Sequence, residues 1–177
     1  LLYPEVATLC AGSGAALVMM HTAAAPKVRK QDADLYRDIG AEVRDFLTMK
    51  SDKAVALGLP RESIILDPGP DFAKTPHQTL TLLREIAGVR EMGRPLLLAL
   101  SRKDFLGAIT GRSPKARGAA TDAAIAHFAT VPGGIVRVHD VAAAVDVIAT
   151  VEALNGLREI AVDYVLPDKI RHEPKQT

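Results

Sequence analysis

Apolar residues fall into four short, nearly unbroken runs: Ala15 to Met20, Ser63 to Leu66, Pro95 to Leu100 and Gly134 to Val138. Continuous rather than alternating apolar character over such short lengths predicts parallel strands covered on both faces. Helical periodicity fills the intervals, roughly Asp32 to Leu57, Pro76 to Val89, Arg102 to Ile109 with Ala116 to Ala129, and Asp140 to Leu154. A further helix, opened by Pro4 in its first turn, runs to Gly12. The order β-α-β-α-β-α-β-α predicts an α/β fold with helical crossovers, either a doubly wound sheet or a (β/α) barrel, and periodicity does not choose between them. No strand run is followed by G-x-G-x-x-G, and Gly12-Ser13-Gly14 precedes a strand instead, which disfavours a nicotinamide enzyme.

The helical pattern stops at Asn155-Gly156, and the remainder is charged and contains proline. Leu157 to Val165 is expected to add a short edge element, and His172 to Thr177 to be disordered. The chain opens on Leu1 and enters a helical pattern within three residues, which predicts a beginning in mid-fold.

Every strand run leads into polar residues at its C-terminal end: Met20-His21, Asp67-Pro68-Gly69, Ser101-Arg102-Lys103 and Arg137-Val138-His139-Asp140. Parallel strands bring these ends to one face, the face that carries ligands in barrels and open α/β sheets alike. Each group also has a plain structural reading. Asp67-Pro68-Gly69 is a turn sequence, Ser101 and Asp140 are helix N-caps, and His21, His77 and His127 serve structure or solvent contact. Arg137 and His139 have the same parity on one strand and so project to one side. Cations there need an anionic partner, and with Lys103 one strand earlier they point to a bound phosphate.

Composition narrows the partner. The 177 residues are 48% hydrophobic, enough for one core, and 22 Lys and Arg balance 21 Asp and Glu. That balance removes any global electrostatic case for nucleic acid or an anionic membrane and leaves a small ligand. Cys10 is the single cysteine, so no internal disulfide forms, and its apolar helical setting predicts a buried structural thiol. No apolar run approaches the roughly 20 residues of a membrane span, and the start lacks the features of a signal peptide, so the expected location is the cytoplasm.

The same strand ends carry a family resemblance. Asp67-Pro68-Gly69 with Phe72-Ala73-Lys74, then Leu100-Ser101-Arg102-Lys103, then Arg137-Val138-His139-Asp140-Val141, preceded by Met20-His21, resemble in order and spacing the second half of the dihydropteroate synthases. The resemblance runs from about Pro4 to Gly156. It implies the C-terminal half of a TIM-type (β/α)8 barrel, four βα units corresponding to strands 5 to 8, with residues 1–156 forming part of the pterin-binding barrel and 157–177 a partly disordered C-terminal extension. It also implies a transferase of folate biosynthesis and a sulfonamide target, joining 6-hydroxymethyl-7,8-dihydropterin pyrophosphate to p-aminobenzoate with Mg2+ as cofactor, in a homodimer when full length.

By resemblance, Asp67 binds the amino-pyrimidine edge of the pterin, and Lys103 reaches the pterin carbonyl side beside the aminobenzoate pocket. Met20 packs on the ring, Phe72 forms a pocket wall, Gly69 and Ser101 complete the substrate contacts, and Arg137 and His139 hold the pyrophosphate. The metal ligand, an asparagine in the family, is expected outside these residues, as are other parts of the site, so the 177-residue chain alone is expected to be inactive. Two departures stand out. Asp71 occupies a position commonly held by glycine, where a side chain crowds the pterin pocket if the backbone needs positive φ. Asp104 follows Lys103 near the place where the aminobenzoate carboxylate docks and repels it unless turned outward. A pterin-binding methyltransferase and a non-catalytic paralogue are the competing readings.

Overall fold

The computed structural model describes residues 3–25, 28, 30–131 and 133–172. Four strands, β1 (Leu17–Met20), β2 (Ile64–Asp67), β3 (Leu96–Leu98) and β4 (Gly134–Val136), form one parallel sheet in the order β1-β2-β3-β4. Neighbours in sequence are therefore neighbours in space, with a helical crossover between each pair. The helices are α1 (Pro4–Ser13), α2 (Ile39–Ala56), α3 (Pro76–Arg84), α4 (Ala87–Arg90), α5 (Asp104–Thr110), α6 (Gly118–Phe128) and α7 (Val141–Leu154).

Pairing is in register along the sheet: Val18 with Ile65, Met20 with Asp67, Leu66 with Leu96 and Leu97 with Ile135. Burial then separates the two faces. Met19, Ile64, Leu66, Leu96 and Leu98 are buried and join Val43, Leu47, Leu82 and Phe105 in one core. On the alternate positions Val18 is 43% and Ile135 39% exposed. The expectation of strands covered on both faces is therefore corrected: helices cover one face, and the run character came from apolar residues on both.

Several boundaries also differ from the periodic reading. The helix expected from Asp32 begins at Ile39, because Asp38 caps it by accepting from Ala41 N at 2.9 Å while Glu42 Oε1 accepts from the amides of Arg37 and Asp38 at 2.8 and 3.0 Å. The helix expected over Pro76 to Val89 divides after Arg84, where Glu85 turns (φ −95°, ψ 13°), and both Ile86 and Val89 then reach the core. Strands β3 and β4 end earlier than the apolar runs, although Arg137 N still donates to Leu98 O at 3.1 Å. Asp140 caps α7 through Ala143 N at 3.0 Å as its sequence context predicts.

Beyond Gly156 the expected edge element is absent. Residues 157–165 contain no strand, and Asp168–Ile170 forms a single 3-10 turn. Leu157, Ile160, Val162 and Val165 are exposed, interspersed with the charged Arg158, Glu159 and Asp163. The disorder expected over His172 to Thr177 lies, beyond His172, outside the described residues. Cys10 is half-buried against the core rather than fully enclosed, because α1 lies at the margin of the helical layer. Among the described residues no helix is long and apolar enough to cross a membrane.

The face assignment is testable by truncation. Leu66→Ala removes a fully buried side chain and is expected to cost about 2 to 5 kcal/mol in urea unfolding, whereas Ile135→Ala on the open face should cost under about 1 kcal/mol. Equal losses at the two positions would contradict a sheet covered on one face.

Candidate functional site

The C-terminal ends of β1 and β2 meet through the backbone, where His21 N donates to Asp67 O at 2.9 Å. Gly69 then turns with φ +65°, and a Cβ there would stand 2.0 Å from His21 O. Only glycine allows that approach. The Asp67 carboxylate accepts from Gly69 N at 2.7 Å through Oδ1, an arrangement that the Asp-Pro-Gly turn chemistry supplies locally. Asp67 is buried, and burial is the largest cause raising its pKa. The Gly69 amide and then Lys103, Lys74 and Arg137 work in the opposite direction.

Lys74 closes this loop from beneath. It has no accessible surface, and its Nζ lies 2.9 Å from Gly69 O, 3.1 Å from Phe72 O and 2.9 Å from His21 Nδ1. Three acceptors match the three N–H donors of an ammonium. Burial pulls the Lys74 pKa down to about 7, with Asp67 raising it, and the acceptor geometry favours the charged form that burial opposes. His21 packs edge-on against Phe46 at 4.8 Å between centroids. Burial, reinforced by Lys74, lowers its pKa to about 3 and keeps the ring neutral, so that Nδ1 can accept. His21 thus takes the structural role, while His77 and His127 lie exposed on their helices.

Lys103 stands across from Asp67. Its Nζ donates to Pro70 O at 2.5 Å and sits 4.3 Å from the centroid of the Phe72 ring, a cation–π contact. Burial lowers its pKa, while Asp71 and Asp67 raise it and Arg137 lowers it further. The Ser101–Asp104 turn that carries Lys103 includes Arg102 at φ +59°. Arg102 N donates to Thr121 Oγ1 at 3.1 Å, and Arg117 Nη1 donates to Arg102 O and Lys103 O at 2.8 and 3.0 Å. Arg117 lies over Gly107, where a Cβ would come within 2.2 Å of the guanidinium. It also pairs with Asp104 at 3.2 Å, so that carboxylate is engaged on the α5–α6 side.

Ser101 joins the last strand end to this group. Its Oγ lies 2.8 Å from His139 Nδ1 and 3.4 Å from His139 N. With the amide donating to Oγ, the hydroxyl proton is free to be given to Nδ1. Ser101, Lys103, Phe72, Asp71 and His139 share a cavity of about 470 Å³ with Arg102 and Lys115. Arg137 lies off that cavity and is exposed, yet its charge reaches both Asp67 and Lys103. Met20, paired with Asp67, lines a separate apolar cavity of about 330 Å³ with Val18, Phe46 and Lys50.

The sequence reading did not single out Lys74, Thr79 or Arg117, three side chains that hold these loops. Nothing in a charge pattern separates a lysine beneath a loop from one in water. The one available signal was the place of Lys74 within Phe72-Ala73-Lys74. Asp71 does adopt positive φ (+62°), and its carboxylate turns to Thr79 and to the amides of Asp104 and Phe105.

Comparison with known proteins adds a second line. A sequence profile of the family described as pterin binding enzyme matches residues 2–139. The dihydropteroate synthase of Mycobacterium leprae is 41% identical over 157 residues, covering 85% of this chain and 55% of that protein, and that of Synechocystis sp. is 38% identical over 152 residues, covering 85% and 52%. The chain thus spans about half the length of the curated relatives it matches. Among solved structures, the Yersinia pestis dihydropteroate synthase in complex with a sulfonamide drug superposes with a TM-score of 0.80 at 27% identity, over 86% of this chain and 55% of that one. The Xanthomonas albilineans dihydropteroate synthase in complex with 7,8-dihydropteroate gives 0.74 at 32% identity, over 88% and 56%.

Two measurements check the loop's support. Lys74→Met leaves two carbonyls and a ring nitrogen without their donor and is expected to cost about 2 to 4 kcal/mol in urea unfolding, against no more than about 0.5 kcal/mol for Lys115→Met on the surface. The His21 pKa, about 3 when folded and 6.5 unfolded, means that the unfolded chain binds the extra proton first as pH falls. Stability is therefore complete above about pH 6.5 and lost progressively toward pH 3. In His21→Gln the part of that slope owed to the imidazole should vanish, and an unchanged melting temperature profile between these limits would show that His21 is not the group responsible.

Proposed function

The chain belongs to the pterin binding enzyme family, and from that premise we propose that it forms the C-terminal half of a dihydropteroate synthase barrel. Residues 1–156 supply four βα units, strands 5 to 8 of a TIM-type (β/α)8 barrel, and 157–177 are an extension. Support comes from four parallel strands in sequential order and from matches spanning about half of each relative. The reaction is the condensation of 6-hydroxymethyl-7,8-dihydropterin pyrophosphate with p-aminobenzoate to 7,8-dihydropteroate and pyrophosphate. On this reading the full-length enzyme is a cytoplasmic homodimer of the folate pathway.

One observation carries the assignment: a buried carboxylate, Asp67, stands at a strand end with Lys103 beside it and the Arg137 charge within reach. Among the described residues Asp67 Oδ2 has no hydrogen-bond donor, which suits an acceptor for the N–H groups of an amino-pyrimidine edge. Met20, Gly69 and Phe72 border the ring, Lys103 meets the pterin carbonyl beside the aminobenzoate, and Ser101 orients His139. Arg137 and His139 hold the pyrophosphate.

The chemistry asks little covalent work of the protein. Pyrophosphate leaves the exocyclic methylene, and the aniline nitrogen attacks the electrophilic carbon left behind and gives up a proton to solvent or to the departing pyrophosphate. Negative charge grows on the departing group, so Arg137 and His139, already in place, stabilise the transition state more than the ground state. Magnesium, implied as cofactor by the resemblance, finds no site of its own among the described residues, where no group of three or more His, Cys, Asp or Glu is arranged to hold a metal ion. On the resemblance, the asparagine that would hold it lies outside these residues, and the ion would supply further positive charge to the departing pyrophosphate.

Calorimetric titration of a full-length protein containing these residues with two pterins tests the reading. Arg137→Ala is expected to weaken binding of the pterin pyrophosphate by roughly 1.5 to 3 kcal/mol, the scale of a hydrogen bond to a charged group, and to leave 6-hydroxymethylpterin unaffected. Equal losses for both ligands would move Arg137 off the pyrophosphate, and a full-length wild-type protein that binds neither pterin would overturn the assignment.

A further inference from the structure

Asp71 has no place in the substrate contacts, yet it is tied to both loops of the site. Its backbone sits at φ +62°, a region that favours glycine and in which aspartate is among the better-tolerated side chains. Its amide donates to Thr79 Oγ1 at 3.1 Å, and the same hydroxyl donates back to Asp71 Oδ1 at 3.1 Å. Thr79 is itself fully buried. The other carboxylate oxygen, Oδ2, accepts from Asp104 N at 2.5 Å and Phe105 N at 3.3 Å, the first two amides of α5. Helix α5 has no side-chain cap from its own N-cap residue, which is Lys103. Asp71 thus supplies in trans what Ser, Asp or Asn normally supplies locally. Its neighbour Pro70 accepts from Lys103 Nζ at 2.5 Å. The Pro70–Asp71 pair therefore grips Lys103 at its side-chain tip and, through the two amides that follow it, at its backbone.

We propose that Asp71 is a positioning residue, a carboxylate clamp that couples the Asp67–Lys74 loop to the start of α5 and fixes where Lys103 stands relative to Asp67. Its bearing on substrate rests on the function proposed above, but the clamp itself does not. Without the carboxylate, the α5 amides lose their acceptor and the Ser101–Asp104 turn loses its tie to the Asp67–Lys74 loop at its C-terminal end. The ammonium of Lys103 then leaves the Phe72 ring and Pro70 O for solvent.

Asp71→Gly isolates the clamp, since glycine suits the backbone angle and removes only the carboxylate. The readout is site-resolved acetylation of the 177-residue chain with a limiting acylating reagent, Lys103 being compared with exposed Lys53 in the same sample. Opening of the turn is expected to raise the Lys103 rate by roughly 5-fold or more, with Lys53 unchanged. Asp71→Asn, which keeps an oxygen for the two amides and tolerates the angle, should restore the rate to within about 2-fold of wild type. No rise at Lys103 in Asp71→Gly overturns the proposal. Should that variant fail to fold, Thr79→Val, which removes the hydroxyl orienting the carboxylate, is read in its place: a rise at Lys103 is expected, and no rise overturns the clamp. Titration of a full-length protein with 6-hydroxymethylpterin separates the two claims, because a protected Lys103 in a full-length wild-type protein that binds no pterin preserves the clamp and removes the function.

Discussion

The loop after β2 depends on a lysine that water cannot reach. A solvated Lys74 would cost nothing to place and would hold nothing, whereas the buried one must find a partner for every N–H it carries. It finds them in Gly69 O, Phe72 O and His21 Nδ1, which lie on either side of the turn and on the neighbouring strand end. A lysine suits this better than an arginine, because a compact ammonium with three donors can sit inside a turn that a planar fork would not fit. The neutral state of His21 follows from the same contact, since a protonated ring would have no lone pair to offer and would face a cation 2.9 Å away.

With that loop held, the other contacts become available in order. Gly69 approaches His21 O, which sets the exit from β2 and with it the Asp67 carboxylate. Asp71 is delivered to the start of α5, and Lys103 is drawn against Pro70 O and the Phe72 ring. Asp71, Ala73 and Arg102 are the three non-glycine residues with positive φ among those described, and all lie in these two loops. Strain of this kind persists only where the surroundings over-determine the backbone. Here Thr79, Thr121, Arg117 and Lys74 do so, each through a buried or half-buried polar contact. Loops supported this way present their side chains in one arrangement before any ligand arrives, which is what catalysis by position and charge requires.

Charges in the site are close enough to set one another's state. Asp67 and Asp71 are held up by burial and brought down by Lys103, while Lys103 is brought down by burial and held up by the same two carboxylates. Neither sign is stable alone in so little water. An incoming ligand that offers donors to Asp67 and negative charge toward Arg137 would relieve both sides at once. Of the two carboxylates that depart from the family pattern, Asp71 is hydrogen-bonded to Thr79 and α5 and Asp104 is paired with Arg117, and both line the cavity beside Lys103.

What the sequence alone determined is what depends on near neighbours. Apolar runs and the intervals between them marked four strands along the chain, Asp140 announced a helix start, and Asp67-Pro68-Gly69 announced a turn, because strand formation, capping and turn chemistry are each decided within a few residues. The motifs at the strand ends were legible for the same reason. Helix α2 starts seven residues later than its periodicity suggests because Asp38 and Glu42 take the amides at its start, a local capping signal that the apolar period does not carry. Tertiary structure decided the rest. Lys74 and Arg117, which in the sequence are two of 22 cations, became supports only when folding withdrew water from them and brought carbonyls to their donors. Asp71 reaches α5 across 33 residues of chain, a separation at which composition and period carry no information, and only the packing of one loop on another could give its carboxylate two amides to hold.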